Sequence, residues 1–353
     1  MEHLNKATTR MTFLDDECNP SFDKADVVCF GVAFDHTASY HKGAWFGPLA
    51  VLNASYQIEY EVPHFGVNLS EVVKINNAGI LEYPNHGIHE LPEKRILELC
   101  RQMVAEVEEL SGQILKAKKK IMMFGGEHSV SNGVFKAISE VHKPSEVAVL
   151  HFDAHLDLRD ALHDNKFSHG SVLRRCKDLG FPTIHVGIRD HISIEEREFI
   201  QKTNLTDSIY FCATSPRQFY EDVGAKENLI FDGQLSSLQR TAICKKISAK
   251  KLYITIDVDG LDPSEMPATG TPLPHGLKLM AVKELLYDVI KHCRKNNIEI
   301  LGFDINEVSP LFRHQPDDKY EIENVIDART EQNAALLAYF IVFWMYQERF
   351  KKK

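Results

Sequence analysis

Val149-Leu150-His151-Phe152-Asp153-Ala154-His155-Leu156-Asp157 is the densest cluster of chemically capable side chains in this sequence: an apolar run that opens into the pattern D-x-H-x-D. Side chains alternate faces in extended backbone, so Asp153, His155 and Asp157 are expected to point one way. Ile254-Thr255-Ile256-Asp257-Val258-Asp259 ends a second apolar run in D-x-D. In Gly125-Gly126-Glu127-His128-Ser129 a third run turns through two glycines and delivers another imidazole. Taken singly, each feature has an ordinary explanation. An Asp after a strand is commonly a turn former or helix cap, a glycine pair is a tight turn, and a lone histidine is a hydrogen-bonded structural residue. Taken together, four carboxylates and two imidazoles emerging from apolar strands would repel strongly without counter-ions, and divalent cations resolve that. The donor set, with no thiolate, suits Mn²⁺, and Zn²⁺, Co²⁺, Fe²⁺ or Ni²⁺ are compatible. Mg²⁺ and Ca²⁺ prefer oxygen-only shells. Six side chains are too many for one ion with an open position, and they serve two ions only if carboxylates are shared. Such a pair of ions, with a water between them ionised near neutral pH, is hydrolytic chemistry.

These residues must be held by rigid elements. The stretches 26–34, 120–125, 146–152, 183–188, 251–258 and 299–305 are short, nearly continuous and rich in Val, Ile and Phe, the signature of parallel strands buried on both faces. Between them, 91–118, 277–295 and 330–349 carry apolar residues at three- and four-residue spacing, as amphipathic helices do. Strand–helix alternation predicts one wide α/β sheet with right-handed crossovers, and its ligands gather beyond the carboxyl ends of the strands. No repeat and no Gly/Ser/Pro linker marks a domain boundary. The segment 212–239 reads as a surface excursion with a short helix.

Composition narrows the function classes. The 353 residues are 44% hydrophobic and 26% charged, within the range of ordinary globular chains. A net charge of −9 gives nucleic-acid binding little electrostatic support and suits a cationic small molecule. The longest apolar run, 334–346, is shorter than the ~18–20 residues that cross a bilayer, and predicts a buried helix rather than a membrane partner. The start of the chain shows no signal or transit pattern, and seven scattered cysteines with no C-x-x-C pair indicate a reducing, cytoplasmic setting.

GGEHS, FDAHLD and ITIDVDGLDP, in this order, resemble the three metal-binding signatures of the ureohydrolase (arginase/agmatinase) family. Further likenesses are GVAFDHTASYHKGAWFGPLAVLNAS, SHGSVLRR, GIRD, ATGTPLPHGL and GFDINEVSP, together covering about 31–337. The resemblance implies a three-layer α/β/α sandwich with a wide, mainly parallel sheet, in a single catalytic domain over 1–353 with 1–25 as an N-terminal extension. It also implies two Mn²⁺ per subunit, hydrolysis of a guanidino or formimino compound, and a homotrimer or homohexamer. Carried over by position, His128, Asp153, Asp157 and Asp257 would hold one ion, and His155, Asp153, Asp257 and Asp259 the other, with Asp153 and Asp257 bridging. Glu127 stands where arginases proper tend to have Asp. Glu307 would orient the guanidinium through paired hydrogen bonds, and His169 would carry the proton that the departing amine requires, with His163 in the same loop as its rival.

The polar contacts by which arginases read arginine are not matched, because Arg159 replaces an Asn and the loop reads Asn165-Lys166-Phe167-Ser168-His169-Gly170. The opening signature and EVSP lean toward the agmatinase branch, and agmatine is the favoured substrate among guanidinobutyrate, guanidinopropionate, guanidine, arginine and formiminoglutamate. Acidic loop residues would favour an amine tail, whereas an inward Arg159 or Lys166 would favour a carboxylate. Two other classes compete. A zinc deacetylase would need a paired-histidine motif, and no His-His occurs; a non-enzymatic metal-binding regulator has no need of the complete ligand set.

Overall fold

The computed structural model describes residues 12–14, 19–59, 68–84, 91–222, 228–313 and 321–350. Most of the 1–25 extension, part of 212–239 and Cys18 lie outside the described residues.

Among the described residues, nine parallel strands form one sheet: β1 (Val27–Ala33), β2 (Ile75–Glu82), β3 (Lys120–Gly125), β4 (Val147–Phe152), β5 (Thr183–Ile188), β6 (Ile209–Cys212), β7 (Leu229–Ile230), β8 (Lys251–Asp257) and β9 (Glu299–Asn306). Their spatial order is β2-β1-β3-β9-β8-β4-β5-β6-β7. The six expected strands all form, within a residue of the expected ends. β2, β6 and β7 were not anticipated. β2 is an edge strand whose INNAGILE sequence carries two asparagines and a glycine, and β6 and β7 are too short to show a period. The segment 212–239 contains a short helix, Arg217–Asp222, and also contributes β7, whose Ile230 is buried.

Apolar side chains on both faces of the strands build two cores, which makes three layers. One face is covered by Glu93–Lys116, Ser131–Val141 and Val172–Asp178, through Met103, Val107, Val134 and Leu173. The other is covered by Gly47–Ser55, Ser237–Lys246, Leu279–Lys295 and Arg329–Met345, through Val51, Ile243, Leu285 and Ile341. The apolar run 334–346 is thus mostly core, and no helix among the described residues is long and apolar enough to cross a membrane.

The chain order places the site. β3 and β4 are consecutive in sequence but not adjacent, because β9 and β8 fill the space between them. Connections leave this centre in opposite directions, the topology that opens a crevice at the carboxyl ends. The loops after β3, β9, β8 and β4 therefore meet above four neighbouring strands.

Candidate active site

His128 follows β3 through Gly125 and Gly126. A Cβ on Gly126 would stand 2.0 Å from the Phe34 carbonyl oxygen, so only glycine lets this turn press against the loop after β1. The turn buries His128 fully. Among the described residues its Nδ1 is a buried atom with no hydrogen-bond partner, and it faces Asp153 Oδ2 at 3.3 Å, Asp157 Oδ2 at 3.3 Å and Asp257 Oδ2 at 3.6 Å. The opposite nitrogen explains why. Nε2 lies 2.8 Å from Thr255 Oγ1, whose hydroxyl donates to Asp304 Oδ1 at 2.6 Å. Thr255 must therefore accept from Nε2–H, so in the neutral ring Nδ1 carries the lone pair and aims it into the carboxylates.

Two sets of potential ligand atoms, each within 4.8 Å of one another, form here: His128, His151, Asp153 and Asp157, and Asp153, His155 and Asp259. Asp153 belongs to both. His155 Nδ1 stands 3.3 Å from Asp153 Oδ1 and 3.1 Å from Asp259 Oδ2, while Asp257 Oδ1 accepts from the Asp259 N–H at 2.8 Å. All six expected residues are thus brought to one place, but not by strand alternation. β4 ends at Phe152, and Asp157 has a left-handed φ of 52°. Asp259 lies on a single 3₁₀ turn, Val258–Gly260. Turns bring Asp157 and Asp259 to the cluster, whereas Asp257 is the last residue of β8.

Electrostatics show what the cluster lacks. Burial alone lowers the pKa of His128 and His155, yet the surrounding carboxylates outweigh it and raise both. Asp257 and Glu307 are pushed well up, first by burial and then by neighbouring acids. A buried group of acids short of positive charge, with an orphaned imidazole nitrogen aimed into it, fits divalent cations.

Glu307 follows β9 with φ of 65°, held by its N–H to the Gly126 carbonyl at 2.7 Å, and its Oε1 accepts from the His128 N–H at 2.7 Å. His169 Nδ1 lies 3.2 Å from Thr37 Oγ1 and its Nε2 lies 3.4 Å from Ser39 Oγ. Burial, with the charge of His155 and His128, lowers the His169 pKa to about 4, which keeps the ring neutral at pH 7. Glu307 and His169 line a cavity of about 360 Å³ together with His155, Asp259, Arg159 and Asp190. His163 is exposed and is not in its wall. Lys166 faces away, 3.4 Å from Asp160, whereas the Arg159 guanidinium pairs with no carboxylate among the described residues. Asp190 Oδ2 stands 3.5 Å from His155 Nε2.

Several participants escaped the sequence reading. His151, fully buried in β4, donates its Nε2–H to the ionised Asp153 at Oδ2, 2.8 Å away, and its Nδ1 lies 2.9 Å from His185 Nδ1. Its position two residues before Asp153, hence on the same face, was the available signal. Thr255, Asp304 and Thr37 looked like strand and loop residues, and only the contacts reveal them.

A family model described as the Arginase family matches residues 25–340. The chain is 31% identical over 298 residues, 84% of its length and 88% of the relative's, to a protein of Bacillus anthracis named agmatinase. It is 29% identical over 314 residues, 88% of its length and 90% of the relative's, to the N(1)-aminopropylagmatine ureohydrolase of Synechocystis sp.. Among solved structures, a putative agmatinase from Clostridium difficile superposes with a TM-score of 0.67 at 26% identity, covering 93% of this chain and 99% of that one. With the sheet, the clustered His and Asp residues and these matches in agreement, the chain belongs to the arginase family.

Proposed function

We propose that the protein is a binuclear-metal hydrolase that cleaves a guanidino compound to urea and an amine, with agmatine as the first candidate. The observation that carries this reading is Asp153, common to two His/Asp sets beside a cavity lined by Glu307 and His169. His128, Asp153, Asp157 and Asp257 would hold one cation, and His155, Asp153, Asp257 and Asp259 the other, with Asp257 included because its Oδ2 lies 3.6 Å from His128 Nδ1. Bound there, two divalent cations supply charge neutralisation and a nucleophilic water at neutral pH. Mn²⁺ is the proposed metal and Ni²⁺ the alternative.

A guanidinium is a poor electrophile because its charge is delocalised, so its orientation matters. Glu307 Oε1 accepts from the His128 N–H with one lone pair, so its second lone pair and Oε2 serve the paired hydrogen bonds to the substrate. The departing amine leaves only when protonated, and His169 delivers that proton. The tail is read by other residues of the cavity wall. Asp190 provides a carboxylate for an amine tail, and the similarity to proteins named agmatinase supports that choice. Arg159, which lines the cavity and pairs with no carboxylate among the described residues, supports a second reading, a carboxylate-tailed guanidino substrate such as guanidinobutyrate.

The proposal includes one catalytic domain over 1–353, assembly as a homotrimer or homohexamer, and residence in the cytoplasm, without nucleic-acid or membrane partners. The described cysteines, all free and buried, support a reducing compartment. The test is urea release from agmatine, arginine, guanidinobutyrate, guanidinopropionate and guanidine, with Mn²⁺ and again with Ni²⁺. Agmatine should lead. A preference for guanidinobutyrate would select the Arg159 reading, a preference for arginine would overturn both tail readings, and no urea from any would point to formiminoglutamate.

A further inference from the structure

Thr37 lies in the loop after β1, and its hydroxyl oxygen has three neighbours. It donates to Oε1 of the fully buried Glu127. The same carboxylate is fixed independently: Ser129 Oγ donates to Oε1 at 2.6 Å and the Thr37 N–H donates to Oε2 at 2.7 Å. Toward the cavity, Thr37 Oγ1 accepts from the backbone N–H of His169 at 3.1 Å and lies 3.2 Å from His169 Nδ1. A hydroxyl has one hydrogen and two lone pairs. The hydrogen goes to Glu127 and one lone pair to the His169 N–H, so only a lone pair is left for Nδ1, and Nδ1 must carry a hydrogen.

We propose that Thr37, anchored by Glu127, is a positioning residue that holds neutral His169 in its Nδ1–H form and so presents the Nε2 lone pair to the cavity. The inference rests on the proposed function, in which His169 carries a proton to the departing amine. In that role Nε2 takes one proton from solvent in the cavity and passes it to the leaving nitrogen, which returns the ring to its neutral form, and the Nδ1–H bond to Thr37 stays unbroken throughout. Ser39, with Oγ 3.4 Å from Nε2, is the only side chain among the described residues recorded as a hydrogen-bond partner on that side of the ring, so Nε2 keeps access to the substrate. The wrong form would place a hydrogen where a lone pair is needed, an error that costs orders of magnitude where a histidine works as a base.

The test is a double-mutant cycle with an independent spectroscopic readout. Thr37→Val keeps the shape and removes the acceptor, and should lower kcat by about 100-fold, with KM and metal content changed less than about twofold. Thr37→Ser should recover most of kcat. In a His169→Asn background, Thr37→Val should cost less than about twofold more, because its effect passes through His169. An equal loss in both backgrounds, or no recovery with serine, overturns the proposal. Nitrogen-15 NMR of histidine-labelled, Zn²⁺-loaded full-length protein reads the ring directly: His169 Nδ1 should resonate as a protonated nitrogen and Nε2 as an unprotonated one, with the pattern lost or mixed in Thr37→Val. The reverse assignment in the wild type overturns the proposal. If no guanidino compound yields urea, the function reading fails while this spectrum still decides the Thr37 assignment.

Discussion

At the scale of residues, the site uses one device twice. Asp304 engages the Thr255 hydroxyl, which turns Thr255 into an acceptor for His128 Nε2 and leaves Nδ1 for the cluster. Glu127 engages the Thr37 hydroxyl, and the opposite nitrogen of His169 is left for the cavity. Each threonine converts a buried carboxylate into a choice of imidazole nitrogen. Outer partners of this kind typically govern metal affinity by about 10–100-fold, so Thr255→Val should weaken metal binding by that amount while the fold persists. Equilibrium dialysis with Mn²⁺ measures it, and unchanged affinity would remove Thr255 from the site. Asp153→Asn strikes the carboxylate common to both ligand sets. Bound metal should drop below one ion per chain and urea release should fall by more than about 100-fold; near-normal activity would disprove the bridging role. The left-handed backbone of Asp157 and Glu307 belongs here too, since non-glycine residues held in that region cluster at functional sites.

At the scale of elements, the strands are anchored at the end away from the chemistry. Glu299, which opens β9, accepts from Lys120 of β3 at 2.7 Å and Lys251 of β8 at 2.8 Å. Burial would raise its pKa, but the two ammonium groups outweigh burial and lower it from the usual 4.5 to about 2. A depressed carboxylate pKa contributes stability that is complete above pH 4.5 and lost as the pH falls toward 2. Glu299→Gln should therefore destabilise the protein at pH 7, by no more than about 1 kcal/mol because the side chain is 43% exposed and solvent screens the pairs. The difference from wild type should shrink steadily between pH 4.5 and 3, read by urea unfolding. A difference independent of pH would show that charge is not the cause. The helices on one face meet as tightly: a Cβ on Gly133 would lie 2.6 Å from Val107 Cβ, so this glycine sets the distance between Ser131–Val141 and Glu93–Lys116.

At the scale of the whole molecule, the net charge of −9 coexists with a buried acidic cluster that bound cations would stabilise. Mn²⁺ loading should bring about two equivalents per chain by elemental analysis and raise the unfolding temperature, and a stoichiometry at or below one would overturn the binuclear reading. Leu238, Met280 and Ile326 are large apolar side chains more than half exposed on the single chain. Light scattering is expected to find a trimer or hexamer, and a monomer at working concentrations would refute that assembly.

The sequence by itself determined the parallel sheet and the six candidate ligands. Uninterrupted runs of Val, Ile and Phe can only be buried on both faces, and so many Asp and His residues at the ends of such runs have few stable arrangements without cations. It did not determine how those residues converge, because the left-handed turn at Asp157 and the 3₁₀ turn carrying Asp259 replace the extended geometry that alternation assumes. Nor could it reveal the strand order, which sets β9 and β8 between β3 and β4 and so brings Thr255 against His128 and Asp304 against Thr255. Those partners are separated by 127 residues in one case and 49 in the other, and hydrogen-bond direction across such distances leaves no periodic trace in the chain. Which nitrogen of each histidine faces the chemistry is therefore a property of the packed molecule, decided by where one hydroxyl hydrogen can go.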